Sequence, residues 1–359
     1  WKRTPECRSP PPCARRNRFP TMYTREQTIS RMNALGRAEC PFFFVISHDM
    51  GHNLLFEPSE TEGERMAAFS LPLGTMGNQD GGPPLPERLR FIPSPHPVSR
   101  YAASFASVRN HLMRGDSYLL NLCVSTPVET NLTLRHLFRF ARAPYRMLLG
   151  PDARISGVHG RGCVCFSPEP FVTVRGRSIS TFPMKGTVPS ATQEARRWLE
   201  TDEKENRESA TIVDLMRNDL SMVATGVRVK RYRYISPVET SKGPILQCSS
   251  EISGLLPENW RSRLGEILLK LLPAGSVTGA PKEATCRAIA EAEDMERGFY
   301  TGIFGFFNGR DLDSAVSIRF MEEDERGMVY KSGGGITVMS RMEEEYQEAV
   351  AKVYVPFDF

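Results

Sequence analysis

Residues 297–320 read RGFYTGIFGFFNGRDLDSAVSIRF. Phe299–Phe307 and Ser314–Phe320 are apolar runs rich in aromatic and β-branched residues, which favour strands. Asn308-Gly309 lies between them, and an Asn-Gly pair flanked by such runs is a strong hairpin signal. A short apolar run upstream, CPFFFVI (40–46), reads as a buried strand. Between and around these strands lie helical patterns. MYTREQTISRMNALG (22–36) is a helix start, and a helix runs from Pro97 through YAASFASVRNHLMRG. A strand follows in SYLLNLCVSTPV (117–128). Residues 190–209 read as one helix capped by Ser190. Arg228–Tyr234 alternates as a strand does. Pro257–Leu272 is amphipathic, 280–296 forms a helix with Pro281 in its first turn, and a last helix begins near Met342. Interleaved strands and helices without an internal repeat predict a mixed α+β fold.

The 359 residues are enough for one large unit or two domains, and 40% apolar content excludes global disorder. No uncharged apolar stretch reaches the ~18 residues of a membrane span, so no membrane association is expected. The formal charge of +4 comes from the first 21 residues, which hold six Lys or Arg and one Glu; the rest carries 40 basic and 41 acidic residues. A near-neutral body gives no electrostatic footprint for nucleic acid. Residues 1–21 also hold five prolines and no apolar period, so they are expected to be a disordered or artefactual extension preceding a natural start at Met22. Residues 70–97, rich in Gly and Pro, are expected to be a surface loop or a linker. Eight scattered cysteines without a CxxC pair are expected to be free thiols in a reducing cytoplasm.

Several residue patterns suit chemistry. Glu205 and Glu208 share one predicted helix, Glu345 and Glu348 another, and a spacing of three puts each pair on one face. Converging carboxylates suit Mg²⁺, although an isolated Glu-x-x-Glu is ordinarily a solvated acidic face. PAGSVTGAPK (273–282) leads into a helix N-terminus, and SGGGI (332–336) lets a ligand come close to the backbone; both suit an anion, and both also read as plain turns. Arg319 at the end of VSIRF is either a carboxylate clamp or a structural ion-pair partner, and Tyr300 is equally ambiguous. Lys185 in FPMKGT is ordinarily a solvated loop lysine. Buried near other cations, its amine would be neutral and nucleophilic. Glu169 in SPEP is a candidate acid. His48 and His52 have metal-like spacing, but the glycine between them and the strand-like lead-in argue against a metal.

Taken in order, GDSYLLNL (115–122), SPEPF (167–171), PMKGT (183–187), ESATIVDLMRNDL (208–220), SSEISGLL (249–256), PAGSVTGAPK (273–282), RGFYTGIFGFF (297–307), VSIRF (316–320) and SGGGI with EEEYQEAVAKV (332–353) resemble the chorismate-utilising enzymes. That family includes anthranilate synthase component I, aminodeoxychorismate synthase component I, isochorismate synthase and salicylate synthase. The resemblance implies an anthranilate synthase-like fold of large sheets flanked by helices. It also implies a chorismate-binding catalytic domain over 97–359, with 22–96 as the N-terminal part of the same fold. It implies that Glu208 and Glu348 ligate Mg²⁺ with Glu205 and Glu345 in support. Arg319, Tyr300, Ser276 and the amides of Gly334 and Gly335 would hold the chorismate carboxylates, and Glu169 would protonate the departing C4 hydroxyl. Aminodeoxychorismate synthases resemble this chain in P-x-K-G-T, where Lys185 would be the nucleophile. Leu119 stands where enzymes that add water to C2 carry a lysine base. The resemblance thus implies conversion of chorismate and ammonia to 4-amino-4-deoxychorismate in the cytoplasm, with ammonia from solution or from a separate glutamine amidotransferase subunit. Anthranilate synthase component I, and a non-catalytic chorismate-binding or glutaminase-scaffolding subunit, are the alternatives. Gln247 departs from the family pattern, in which many members have His.

Overall fold

The structure, a computed structural model, describes residues 21–58, 67–150, 162–188, 192–238 and 245–357. The expected extension therefore lies outside the described residues, apart from Thr21. Two antiparallel sheets dominate. The first runs β1 (Met22–Tyr23), β3 (Asn53–Phe56), β2 (Phe42–Ile46), β16 (Ile303–Phe307), β17 (Leu312–Val316), β10 (Pro170–Arg175), β11 (Ser178–Thr181) and β14 (Ile245–Leu255), where β12 (Met184–Val188) and β13 (Thr225–Val238) both join β14. The second runs β15 (Gly279–Ala280), β7 (Leu119–Thr130), β19 (Gly327–Ile336), β18 (Phe320–Asp324), β9 (Gly162–Ser167), β8 (Tyr145–Leu149), β4 (Ala67–Leu71) and β5 (Gly74–Met76), with β6 (Phe91–Pro93) on β7. The helices are α1 (Arg25–Arg37), α2 (Val98–Arg114), α3 (Leu134–Phe140), α4 (Gln193–Thr201), α5 (Glu203–Ser221), α6 (Leu264–Leu271), α7 (Lys282–Ala292) and α8 (Met342–Ala351).

The sheets pack face to face between helical layers, as period-two alternation dictates for strands buried on both sides. Phe42, Phe44, Ile46, Ile303 and Phe307 face α1, α5 and α6, whereas Phe43, Val45 and Phe304 face the second sheet. On the far side of the second sheet, Leu120 and Leu122 pack under α2 and α7. Each buried Phe contributes about 1.5–3 kcal/mol, so the run CPFFFVI anchors two core layers at once. The hairpin of 297–320 forms as expected, with Ile303 opposite Val316 and Phe307 opposite Leu312.

The structure corrects several expectations. The helix of 190–209 is two helices. Asp202 ends α4 and its side chain caps α5 by accepting from the Glu205 amide. The cap of α4 is Thr192, and Ser190 lies outside the described residues. Pro281 is the N-cap of α7, and α6 starts only at Leu264, after a 3-10 turn at Trp260–Arg263. Residues 70–97 contribute β5 and β6, so that stretch is woven into the second sheet. Cys123, Cys163, Cys165, Cys248 and Cys286 are free thiols, but Cys40 is disulfide-bonded, which corrects the free-thiol expectation there.

Candidate active site

The candidate residues come from separate stretches of chain. The strand β12 carries Lys185 to the side of α5, where its Nζ lies 3.5 Å from Glu208 Oε2. Across from it runs β19, in which SGGGI is strand rather than free turn. Glycine at 335 leaves room on the sheet, since a Cβ there would stand 3.4 Å from Lys185 Nζ and 3.1 Å from Leu119 Cδ1. One added methyl group would thus fill the space between lysine and sheet. A Cβ on neighbouring Gly334 would meet Glu345 Oε2 at 3.4 Å and Glu348 Oε1 at 3.9 Å. Strand β19 therefore brings its glycines to both the lysine and the acids of α8.

The two acidic pairs sit one turn apart on α5 and α8, as their spacing requires. Glu345 is buried and Glu348 is exposed. Among the described residues no three acids, histidines or cysteines converge closely enough to hold a metal ion. Instead a lysine stands at the tip of each pair. Lys185 meets Glu208, and Lys352 Nζ lies 2.7 Å from Glu348 Oε1 while donating to Gly333 O at 2.9 Å. The sequence reading missed Lys352, though its place four residues after Glu348 puts it on the same face. Burial pulls the Lys352 ammonium below its ordinary pKa, Glu348 opposes that, and the nearby positive charges of Arg319 and Lys185 add to it.

Glu169 lies between β9 and β10 in the same charge field. Burial raises its carboxyl above the ordinary value, and a hydrogen bond with the Ser276 side chain and the charges of Lys185, Arg319 and Lys352 oppose the rise. A carboxyl whose pKa burial raises is suited to general acid work. Ser276 comes from a 3-10 turn, Gly275–Val277, which lies against Asp219 of α5, and Asp219 meets Lys282 Nζ at 3.0 Å.

Tyr300 and Arg319 were expected on paired strands. Both lie just off the ends. Tyr300 is in the turn before β16, and Arg319 links β17 to β18 with φ +55°, a left-handed conformation that β-strands exclude. Arg319 sits 5.3 Å above the Tyr354 ring, with Nε 3.5 Å from its hydroxyl. Tyr300 is buried among Phe320, Cys123 and Tyr330, and Arg319 adds its charge there. His48 shares a hydrogen bond with Thr301 at 3.1 Å, and burial beside Arg297 drops its pKa to about 3, so it is a core group. Gln247 pairs in register with Thr187 two residues from Lys185.

The model of the chorismate binding enzyme family matches residues 30–358. This chain belongs to that family. An uncharacterised PabA-like protein of Haemophilus influenzae is 44% identical over 335 residues, spanning 93% of this chain and 98% of its own length. Aminodeoxychorismate synthase component 1 of Salmonella typhimurium is 30% identical over 266 residues, which cover 70% of this chain and 56% of that protein. The crystal structure of anthranilate synthase component I from Streptococcus pneumoniae superposes with a TM-score of 0.59 at 26% identity, over 74% of this chain and 58% of that one. MenF, the menaquinone-specific isochorismate synthase of Escherichia coli, superposes with a TM-score of 0.69 at 16% identity, over 92% of this chain and 82% of that one, a likeness of fold. Among the described residues no helix is long and apolar enough to cross a membrane.

Proposed function

We propose that this family member aminates chorismate at C4, giving 4-amino-4-deoxychorismate. The observation that carries the reading is the setting of Lys185. Its nitrogen faces the bare backbone of Gly335 and stands in the field of the buried Glu169, whose pKa is raised. Isochorismate formation would need a base to activate water where this chain has the aliphatic Leu119.

In this reading Arg319, Tyr300, Ser276 and the Gly334 and Gly335 amides take the substrate carboxylates, and Lys352 adds a further cation on the same side. The Lys185 amine attacks C2. Glu169 passes its proton to the C4 hydroxyl, which leaves as water while the ring double bond shifts. Ammonia then attacks C4, the bond from C2 to Lys185 breaks, and the amino group keeps the position of the hydroxyl. An amine nucleophile suits this route because two allylic displacements spare a direct displacement at C4.

The carboxylate donors suit Mg²⁺ by type, although no three of them converge among the described residues. Hard oxygens on two helices are its usual ligands, and an oxygen of Glu208 and one of Glu348 each already face a lysine nitrogen. Glu208 and Glu348 would be the ligands, with Glu205 and Glu345 in support, and the ion would neutralise substrate charge. Ammonia would come from solution or from a separate glutamine amidotransferase, in line with the component 1 naming of the Salmonella relative.

The test is an incubation with chorismate, Mg²⁺ and ammonium, resolved by chromatography. The proposal expects aminodeoxychorismate, which a lyase converts to 4-aminobenzoate. Anthranilate with released pyruvate, or no conversion at all, would refute it.

A further inference from the structure

Beneath the site lies a buried cation that the chemistry above does not use. Arg297 is fully enclosed, and each of its five N–H groups has an acceptor. Nε donates to Glu293 Oε2 at 2.8 Å and Nη2 to Glu293 Oε1 at 2.6 Å and to Asn121 O at 2.6 Å. Nη1 donates to Val277 O at 3.0 Å and to Thr301 Oγ1 at 3.3 Å. One side chain thus joins the end of α7, strand β7, the residue after Ser276 and the residue after Tyr300.

Thr301 is the unusual partner. It is 1% exposed and has φ +58°. A β-branched residue in the left-handed region is a genuine outlier, and such strain persists only where the surroundings enforce it. Here they do. The Thr301 hydroxyl donates to Tyr300 O at 2.6 Å and receives Arg297, and His48 closes on it from β2's end. The Thr301 amide donates to Ser317 O at 2.8 Å, and the Ser317 amide donates to Gly302 O at 2.8 Å. Gly302 is pressed against β2, where a Cβ would stand 2.1 Å from Ile46 O. Ser317 lies two residues before Arg319, the other left-handed residue of this region. The turn carrying Tyr300 and the link carrying Arg319 are therefore bolted to each other by two backbone hydrogen bonds.

We propose that Arg297 and Thr301 are positioning residues, which hold the 299–302 turn in its left-handed state and so set the spacing of Tyr300, Arg319 and the Ser276 turn for an anionic substrate. The inference rests on the reading that those three take chorismate carboxylates, and it adds the device that fixes their geometry. The hydroxyl of Thr301 performs the aiming, so strain and function separate on mutation. Glycine at 301 accepts the positive φ without strain but cannot hold Arg297 and Tyr300 O together.

Calorimetric titration of the full chain with chorismate tests this, beside thermal melting. Thr301→Gly is expected to melt within a few degrees of the wild type, yet to bind chorismate about tenfold or more weakly, with KM rising more than kcat falls. Thr301→Ser, which restores the hydroxyl, is expected to bind within about twofold of wild type. Arg297→Lys keeps the charge beside Glu293 but lacks the planar fork. It is expected to weaken binding by a similar factor, which keeps the test decisive if Thr301→Gly fails to fold. Wild-type affinity in both Thr301→Gly and Arg297→Lys would overturn the inference and leave the proposed reaction standing. Weakened variants of a wild type that binds chorismate but yields another product would sink the reaction and leave the inference standing.

Discussion

The two halves of the site are built differently. The half around Tyr300 and Arg319 is buried, strained and saturated with hydrogen bonds from Arg297, Thr301 and Ser317. The half formed by α5 and α8 is open. Lys185 and Glu208 keep about a quarter of their side-chain surface exposed, at 24% and 22%, and Glu348 keeps 54%. A ring dianion needs donors that do not move, because any reorganisation is lost from binding. A hydrated divalent ion needs ligands that can adjust while it sheds water. On the proposed reading, the contrast teaches that anion recognition is preformed at Tyr300 and Arg319, whereas the acidic half sets Lys185 and Lys352 against its carboxylates.

The contrast breaks most visibly if the open half proves rigid. Glu348→Gln is expected to raise the Mg²⁺ concentration for half-maximal turnover by about tenfold, while the melting temperature falls by only a few degrees, since a half-exposed pair contributes little. An unchanged Mg²⁺ titration would remove Glu348 from the ligand set. A smaller effect sharpens the boundary between the halves at Glu169. Its folded pKa lies above the unfolded value because of burial. The folded protein therefore holds this proton more tightly than the unfolded chain does. Stability from this group is full below the unfolded pKa and declines as pH rises through the folded one. Melts across that range should show the wild type losing stability with rising pH relative to Glu169→Gln, by about 1 kcal/mol or less. Parallel curves would mean that the carboxyl titrates alike in the folded and unfolded chain.

Much of this arrangement could be read from the chain. Continuous apolar runs marked β2 and the hairpin of β16 and β17, alternation marked part of β13, and the spacing of three marked the acidic faces of α5 and α8. The break at Asp202 was legible too, since Asp202 with Glu205 three residues on is a helix-start pattern, but the long polar run hid it. Other features left no local signal. Arg297 has Glu293 and Thr301 within four residues, but its bonds to Asn121 and Val277, which tie the turn to the rest of the site, reach far along the chain, so no short window of sequence contains its role. The left-handed backbone at Thr301 and Arg319 is imposed by tertiary contacts against the residues' own preference. The sequence marks such positions only by the neighbouring glycines, Gly298 and Gly302.

The central claim is that Lys185 is the nucleophile, and intact-mass measurement tests it most directly. With chorismate and Mg²⁺ but no ammonium, the wild type should gain the mass of chorismate less one water, located on the peptide containing Lys185, and Lys185→Ala should gain nothing. An adduct of the same mass on Lys185→Ala, or aminodeoxychorismate formed by that variant at the wild-type rate, would contradict the account.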